Sequence, residues 1–186
     1  MKQLGTVTLE TERLILRRAR LSDTECMFKN WANDDRVTKY MTWQTYQNVD
    51  EAKGYISFLE EDYKKSDSYY WFIELKEIGE PIGAISVVKS MLEIECVHIG
   101  YCLGYNWWHK GIMTEAFTAV IKFFMEEVGV NRIEARHDTE NINSGKVMQK
   151  CGLKYEGTLR QSDTNNHNKL CDAAYYAILK EEYFKK

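Results

Sequence analysis

The stretch Tyr101-Cys-Leu-Gly-Tyr-Asn-Trp-Trp-His-Lys-Gly-Ile-Met-Thr-Glu-Ala116 runs from an apolar strand end, through a loop holding Gly111, into a helix. Ala116, Phe117, Val120, Ile121, Phe124 and Val128 recur at helical spacing, so one stripe of that helix faces a core. A strand that feeds a helix through a glycine loop aims free backbone N–H groups and the positive helix end at one spot. That is the chemistry for holding a phosphate or pyrophosphate. Nucleotide hydrolases are excluded, because no Gly-Lys-Ser or Gly-Lys-Thr follows at the required spacing, and so is the Gly-x-Gly-x-x-Gly of dinucleotide folds.

The other chemistry-bearing residues narrow the class. His98, His109, His137 and His167 lie at no metal-ligand spacing, so no metal is expected. Five cysteines (Cys26, Cys96, Cys102, Cys151, Cys171) are scattered and odd in number, with no Cys-x-x-Cys pair, which predicts reduced thiols and a cytoplasmic protein. Cys151 falls just before the Gly152 helix cap, away from any helix N-terminus, which disfavours an acyl-cysteine route. A formal net charge of -3 with no block of like charges argues against direct nucleic-acid binding. No apolar run follows a basic N-terminal stub, and no stretch of about 18 apolar residues occurs, so neither a signal peptide nor a membrane span is expected. Pro81 is the only proline, so no proline-rich linker divides the chain. One domain over residues 1–186 is expected.

The elements that must position these groups follow from periodicity. Residues 12–18 alternate as a strand. Ser22-Asp-Thr-Glu25 reads as a capping box opening a helix toward Trp31. Residues 33–47 lose periodicity and read as a polar loop carrying Trp43 and Tyr46. Asn48 caps a second helix with Ala52, Tyr55, Ile56, Leu59 and Tyr63 on one face. Strands follow over residues 69–76, 82–88 and 91–103, the first two as a hairpin around Gly79. The glycine-loop helix is expected from Thr114 to about Gly129. A strand over 132–136, a helix from Ser144 to Gly152, a short strand over 153–159, a polar loop over 162–169 and a last strand over 173–179 complete the chain. This pattern predicts an α/β (α+β) domain whose central sheet is mixed, mostly antiparallel and flanked by helices.

Three segments, in this order and spacing, resemble the GNAT superfamily of N-acetyltransferases. Within it, the chain is most similar to the subfamily acting on ribosomal-protein N-terminal alanine and serine. The segments are Thr11-Glu-Arg-Leu-Ile-Leu-Arg17; Ile99-Gly-Tyr-Cys-Leu103 with Trp108-His-Lys-Gly-Ile-Met-Thr-Glu-Ala116; and Asn141-Ile-Asn-Ser144 with Lys150-Cys-Gly-Leu and Tyr155-Glu-Gly157. The resemblance implies acetyl-CoA as co-substrate. Its pyrophosphate would sit on Lys110, Gly111, Ile112, Met113, Thr114, Glu115 and Ala116, and its pantetheine arm beside Leu103, Gly104 and Tyr105, with Asn141 and Ser144 closing over it. Two loop positions depart from the superfamily: Trp108 stands where Gln or Arg is usual, and Met113 where Gly or Ala is usual.

The implied reaction is direct attack of an unprotonated primary amine on the thioester in a ternary complex. It requires a proton acceptor for the incoming ammonium and a partner for the departing thiolate. The resemblance points to Asp163 as base, with Glu95 and His98 on the central strand as rivals. The tyrosine many members use toward the thiolate is replaced here by Met148, which leaves Ser144 as the implied partner. The expected acceptor is a protein N-terminal α-amine. A polyamine, aminoglycoside or other small amine is the alternative within enzymes, and a non-catalytic CoA-binding sensor the alternative outside them. A monomer or homodimer fits this reading equally.

Overall fold

The computed structural model describes residues 1–185 of the 186-residue chain. In chain order its elements are strands β1 (Leu9–Glu10) and β2 (Leu14–Arg17), then helices α1 (Thr24–Met27, widened over Phe28–Ala32), α2 (Asp35–Thr38) and α3 (Val49–Asp62). Strands β3 (Tyr70–Leu75), β4 (Glu80–Met91) and β5 (Cys96–Leu103) lead to helix α4 (Ile112–Lys122, widened over Phe123–Val128). Strand β6 (Arg132–Asp138), helix α5 (Ile142–Lys150), strands β7 (Lys154–Thr164) and β8 (Leu170–Leu179) and helix α6 (Lys180–Phe184) follow. None of the described helices is long and apolar enough to cross a membrane.

The strands form one sheet in the order β1-β2-β3-β4-β5-β6-β8-β7. Every neighbouring pair is antiparallel except β5 and β6. This is the mixed, helix-flanked sheet that the element order predicts. Strand alternation divides the core into two layers. On β3, Trp71, Ile73 and Leu75 enter the cluster under α4 with Phe117, Val120 and Phe124. Phe72 points the opposite way, into the cluster with Trp31, Ile56 and Leu59. Its ring meets Trp31 edge-on, with centroids 5.1 Å apart.

The parallel seam is short. It pairs only Cys96, Val97 and His98 with Arg132, Ile133 and Glu134. Beyond it β5 stays registered with β4 as far as Leu103, and β6 stays with β8 as far as Asp138. Each strand follows its own antiparallel partner, so the two part and leave a gap.

Local differences from the sequence expectations have identifiable causes. Asp23, not the exposed Ser22–Glu25 pair, holds the turn before α1, because its carboxylate is already fixed by Arg17 at 2.7 and 2.9 Å and accepts the Arg20 N–H at 2.8 Å. The expected strand over 91–103 is split by a turn at Leu92–Ile94, whose apolar side chains face solvent and so mimic a buried run. Residues 33–47 hold α2, which Asp34 caps by accepting the Arg36 N–H at 2.9 Å. Strand β7 runs on to Thr164, through most of what reads as a polar start to the 162–169 loop. Helix α5 starts at Ile142, with Asn141 and not Ser144 as its cap.

Candidate active site

The gap between β5 and β6 opens into a cavity on each side. One, of about 590 Å³, lies between the Gly111 loop, the end of β5 and the first turns of α5. The other, of about 340 Å³, is lined by Trp43, Tyr55, Tyr70, His98, Arg136 and Asp163 among others. Tyr101, Cys102, Asn141 and Ser144 line both, so the cavities meet in the gap. Alternation on β5 explains the division: Tyr101 leans on Phe117 of α4, with ring centroids 5.5 Å apart, while Cys102 packs toward the α3 layer. Arg36, on the wall of the first cavity, lies 3.7 Å from the Tyr105 ring centroid and chelates Asp34 at 2.8 and 2.6 Å.

Gly111 is left-handed (φ 74°) at the N-cap of α4, a conformation glycine adopts without strain. The first intrahelical bond runs from the Glu115 N–H to the Gly111 carbonyl at 3.0 Å. The amides of Ile112, Met113 and Thr114 therefore precede the helix ladder and face the cavity these residues line. Lys146 and Lys150 line the same cavity across from the loop and add positive charge. The Met113 side chain is buried in the core, which turns its bulk away from the loop. Three members of the expected cofactor set do something else. The Lys110 carbonyl accepts from Arg13 Nη1 at 3.0 Å, and Ala116 is fully buried. Glu115 points to the β1–β2 turn, accepting from Thr11 Oγ1 at 2.6 Å, the Arg13 N–H at 2.9 Å and Arg13 Nε at 2.7 Å.

Leu103, Gly104 and Tyr105 also have partners of their own. The Leu103 carbonyl accepts from Trp108 Nε1 at 2.7 Å, the Gly104 N–H donates to Ile82 at 2.8 Å, and the Gly104 and Tyr105 carbonyls accept the Trp107 and Trp108 N–H groups. Trp108 thus ties the loop to the strand end. Gly104 is glycine because of close approach: a Cβ there would lie 2.3 Å from the Asn30 carbonyl. The unpartnered edge of β5 is the part facing the gap, residues 99–103, which β6 does not reach.

At the waist, Ser144 Oγ lies 3.0 Å from the Tyr101 hydroxyl. Asn141 Oδ1 accepts the Ser144 N–H at 3.4 Å, so its carbonyl side serves the helix and its amide nitrogen remains for a ligand. Met148 is buried one turn along α5. Burial pushes the Cys102 thiol up to about 12, which makes the cysteine at the waist a poor nucleophile.

The three expected bases separate. Glu95 is not brought to the site: it sits in a left-handed turn before β5, exposed, and takes the Met1 ammonium at 2.9 Å. Asp163 lines the second cavity, but its Oδ2 accepts from Arg136 Nε at 2.5 Å and its Oδ1 from the Thr164 N–H at 2.9 Å. His98 lines the same cavity, is 5% exposed, and places Nδ1 3.0 Å from Glu134 Oε1. Burial lowers its pKa from the usual 6.5; the Glu134 hydrogen bond pulls the other way and the Arg136 charge adds to the lowering. Glu134 and Arg136 were invisible to sequence reasoning, since the strand pairing that brings them beside His98 and Asp163 is not a local signal. Alternation could have found Tyr101, which must face opposite His98. Among the described residues no cluster of three metal-binding side chains occurs.

A family model for the acetyltransferase (GNAT) domain matches residues 13–154. The chain belongs to this family and is an N-acetyltransferase of the GNAT type, with acetyl-CoA as co-substrate. It is 33% identical over 176 residues to the Bacillus licheniformis protein named uncharacterized N-acetyltransferase p20, covering 95% of this chain and 98% of that one. It is 26% identical over 161 residues to the Escherichia coli [Ribosomal protein uS5]-alanine N-acetyltransferase, covering 81% and 80%. In structure it resembles the microcin C7 self-immunity acetyltransferase MccE, solved with acetyl-CoA and AMP. The TM-score is 0.82 at 22% identity, covering 91% of this chain and 93% of that one.

Proposed function

We propose that the protein transfers acetyl from acetyl-CoA directly to one primary amine, the α-amine of a protein N-terminus. The observation that carries this reading is the gap that joins a phosphate-suited cavity to a separate acceptor cavity. The amides of Gly111, Ile112, Met113 and Thr114 take the pyrophosphate, and the free β5 edge pairs with the pantetheine amides as an added strand would. The thioester then lies in the gap, open to attack from the His98 side. Direct transfer follows from the inertness of Cys102.

The acceptor class follows from charge. Polyamines and aminoglycosides carry several ammonium groups and need several free carboxylates. In the second cavity Asp163 is held by Arg136, and Asp138 Oδ1 accepts the Glu140 N–H at 2.9 Å. Tyr55, Tyr70 and Trp43 offer ring faces suited to a single cation. His98 takes the proton from the incoming ammonium, with Glu134 stabilising the imidazolium. A base with a lowered pKa suits a weakly basic amine. At pH 7 about 10% of an α-amine of pKa near 8 is already neutral, against roughly 0.04% of a lysine-like amine near 10.4. Similarity to the uS5-alanine enzyme supports the same choice.

The test is thiol release from acetyl-CoA with peptides bearing free N-terminal Ala or Ser, the same peptides N-acetylated but carrying an internal Lys, spermidine, and an aminoglycoside. Only the free N-terminal peptides are expected to turn over well. Faster turnover of spermidine or the aminoglycoside would overturn the acceptor assignment.

A further inference from the structure

Two hydroxyls meet where the cavities join. Tyr101 Oη lies 3.0 Å from Ser144 Oγ and 3.0 Å from the Ser144 carbonyl oxygen. The Tyr101 ring is braced by Phe117, and the carbonyl contact fixes where its oxygen sits. Of the other groups at the waist, Met148 has no polar hydrogen to donate, and Cys102 packs toward the opposite layer of the sheet from Tyr101. On the acetyl-transfer reading, on which this inference rests, a CoA thiolate is released here. An anion in a half-buried gap is costly unless hydrogen-bonded.

We infer that Tyr101 is a positioning residue for the leaving group: its hydroxyl donates to the Ser144 carbonyl and shares that proton with Ser144 Oγ, which leaves the Ser144 proton to be aimed at the CoA sulfur. When the C–S bond breaks, its electron pair stays on sulfur. The Ser144 hydroxyl keeps its proton and donates a hydrogen bond to that sulfur. The sulfur takes up the proton lost by the attacking amine, so the step needs no further reactant. Two residues from facing elements thus do together what Met148 cannot.

The test needs no acceptor. The thiol of CoA bound to the protein is titrated by its thiolate ultraviolet absorbance, with the desulfo-CoA complex as blank, and binding is followed by calorimetry. Tyr101→Phe keeps the ring against Phe117, so CoA affinity should stay close to wild type. The bound thiol should ionise about one pH unit higher in this variant, a roughly tenfold loss of thiolate at a given pH. Ser144→Ala should raise it similarly, and the double variant should add little to either single change. Equal thiol pKa values in wild type and Tyr101→Phe, with CoA bound in both, would overturn the Tyr101 role and leave acetyl transfer standing. Failure of the wild type to bind CoA at all would overturn both.

Discussion

Glu115 sits in the cofactor loop, yet its side chain serves the loop's anchorage, and removing it should weaken cofactor binding without touching the chemistry. Three hydrogen bonds of 2.6, 2.9 and 2.7 Å join it to Thr11 and Arg13, and Arg13 in turn holds the Lys110 carbonyl. Bonds to a charged acceptor are worth about 1.5–3 kcal/mol each when sheltered. Here the Arg13 side chain is 43% exposed and that of Glu115 19%, so water recovers much of the loss. A discounted total of about 2 kcal/mol is reasonable for Glu115→Ala. If that energy holds the loop in its binding form, the competent fraction falls and the apparent dissociation constant for acetyl-CoA rises by up to about 30-fold. Calorimetric titration measures this directly, and turnover at saturating acetyl-CoA should stay near wild type. Glu115→Gln should fall between, because it keeps an acceptor for Thr11 and loses the charge facing Arg13. Burial alone would raise the Glu115 pKa, but the bonds from Thr11 and Arg13 outweigh it and hold it below 4.5. The staple is therefore complete above the ordinary carboxylate pKa and is lost as pH falls through the lowered one. Wild type and Glu115→Ala should converge in affinity only as pH falls through that lowered pKa. Wild-type affinity in Glu115→Ala at neutral pH would refute the anchorage argument.

Two further outcomes are expected. Gly104→Ala should cost about 2–3 kcal/mol in urea unfolding, since φ −56° suits alanine and the penalty is the clash with the Asn30 carbonyl at 2.3 Å and the Trp107 ring at 2.7 Å. Gly111→Ala should cost only about 1–2 kcal/mol, because its space is open (nearest atom 3.6 Å) and only the left-handed backbone objects; the reverse order would contradict both readings. Turnover at saturating acceptor should fall on an acid limb with its inflection below 6.5, because burial keeps His98 neutral until then. Glu134→Gln removes an interaction that raises the His98 pKa and should move that limb further to acid, while an unchanged limb in His98→Gln would place the base elsewhere.

What was legible in the sequence was local. Gly111 between an apolar strand and a striped helix pointed to a strand–loop–helix junction, and the structure has a left-handed glycine at the helix N-cap there. Asn48 announced a helix that it does cap, accepting the Glu51 N–H at 3.1 Å. What was not legible depended on distant neighbours. Glu115 was assigned to the cofactor because of its place in the loop, but its direction is set by a hairpin about a hundred positions earlier. Asp23 displaced the Ser22–Glu25 box through Arg17, whose Nε donates to Glu74 on β3. Glu95 and His98 lie three residues apart on what reads as one strand. A left-handed turn at Glu95 puts the first in solvent, and the seam with β6 puts the second beside Glu134.

That seam accounts for the fold and the site together. A parallel pair inside an antiparallel sheet cannot be joined by a tight hairpin, so the chain must cross over, and α4 is the crossover. Its N-terminus necessarily opens at the carboxyl end of β5, where ligands of open α/β sheets characteristically bind. Because the seam ends at His98 and Glu134, the same strands that need the crossover also diverge around Tyr101, opening a passage between the two layers. The Gly111 loop, the gap and the two cavities beside it are thus consequences of one topological choice. The division of labour along β5 follows: Val97 is fully buried where β5 pairs with both β4 and β6, while Tyr101, four residues on, keeps only β4 and has its hydroxyl at Ser144, where the proposed transfer would use it.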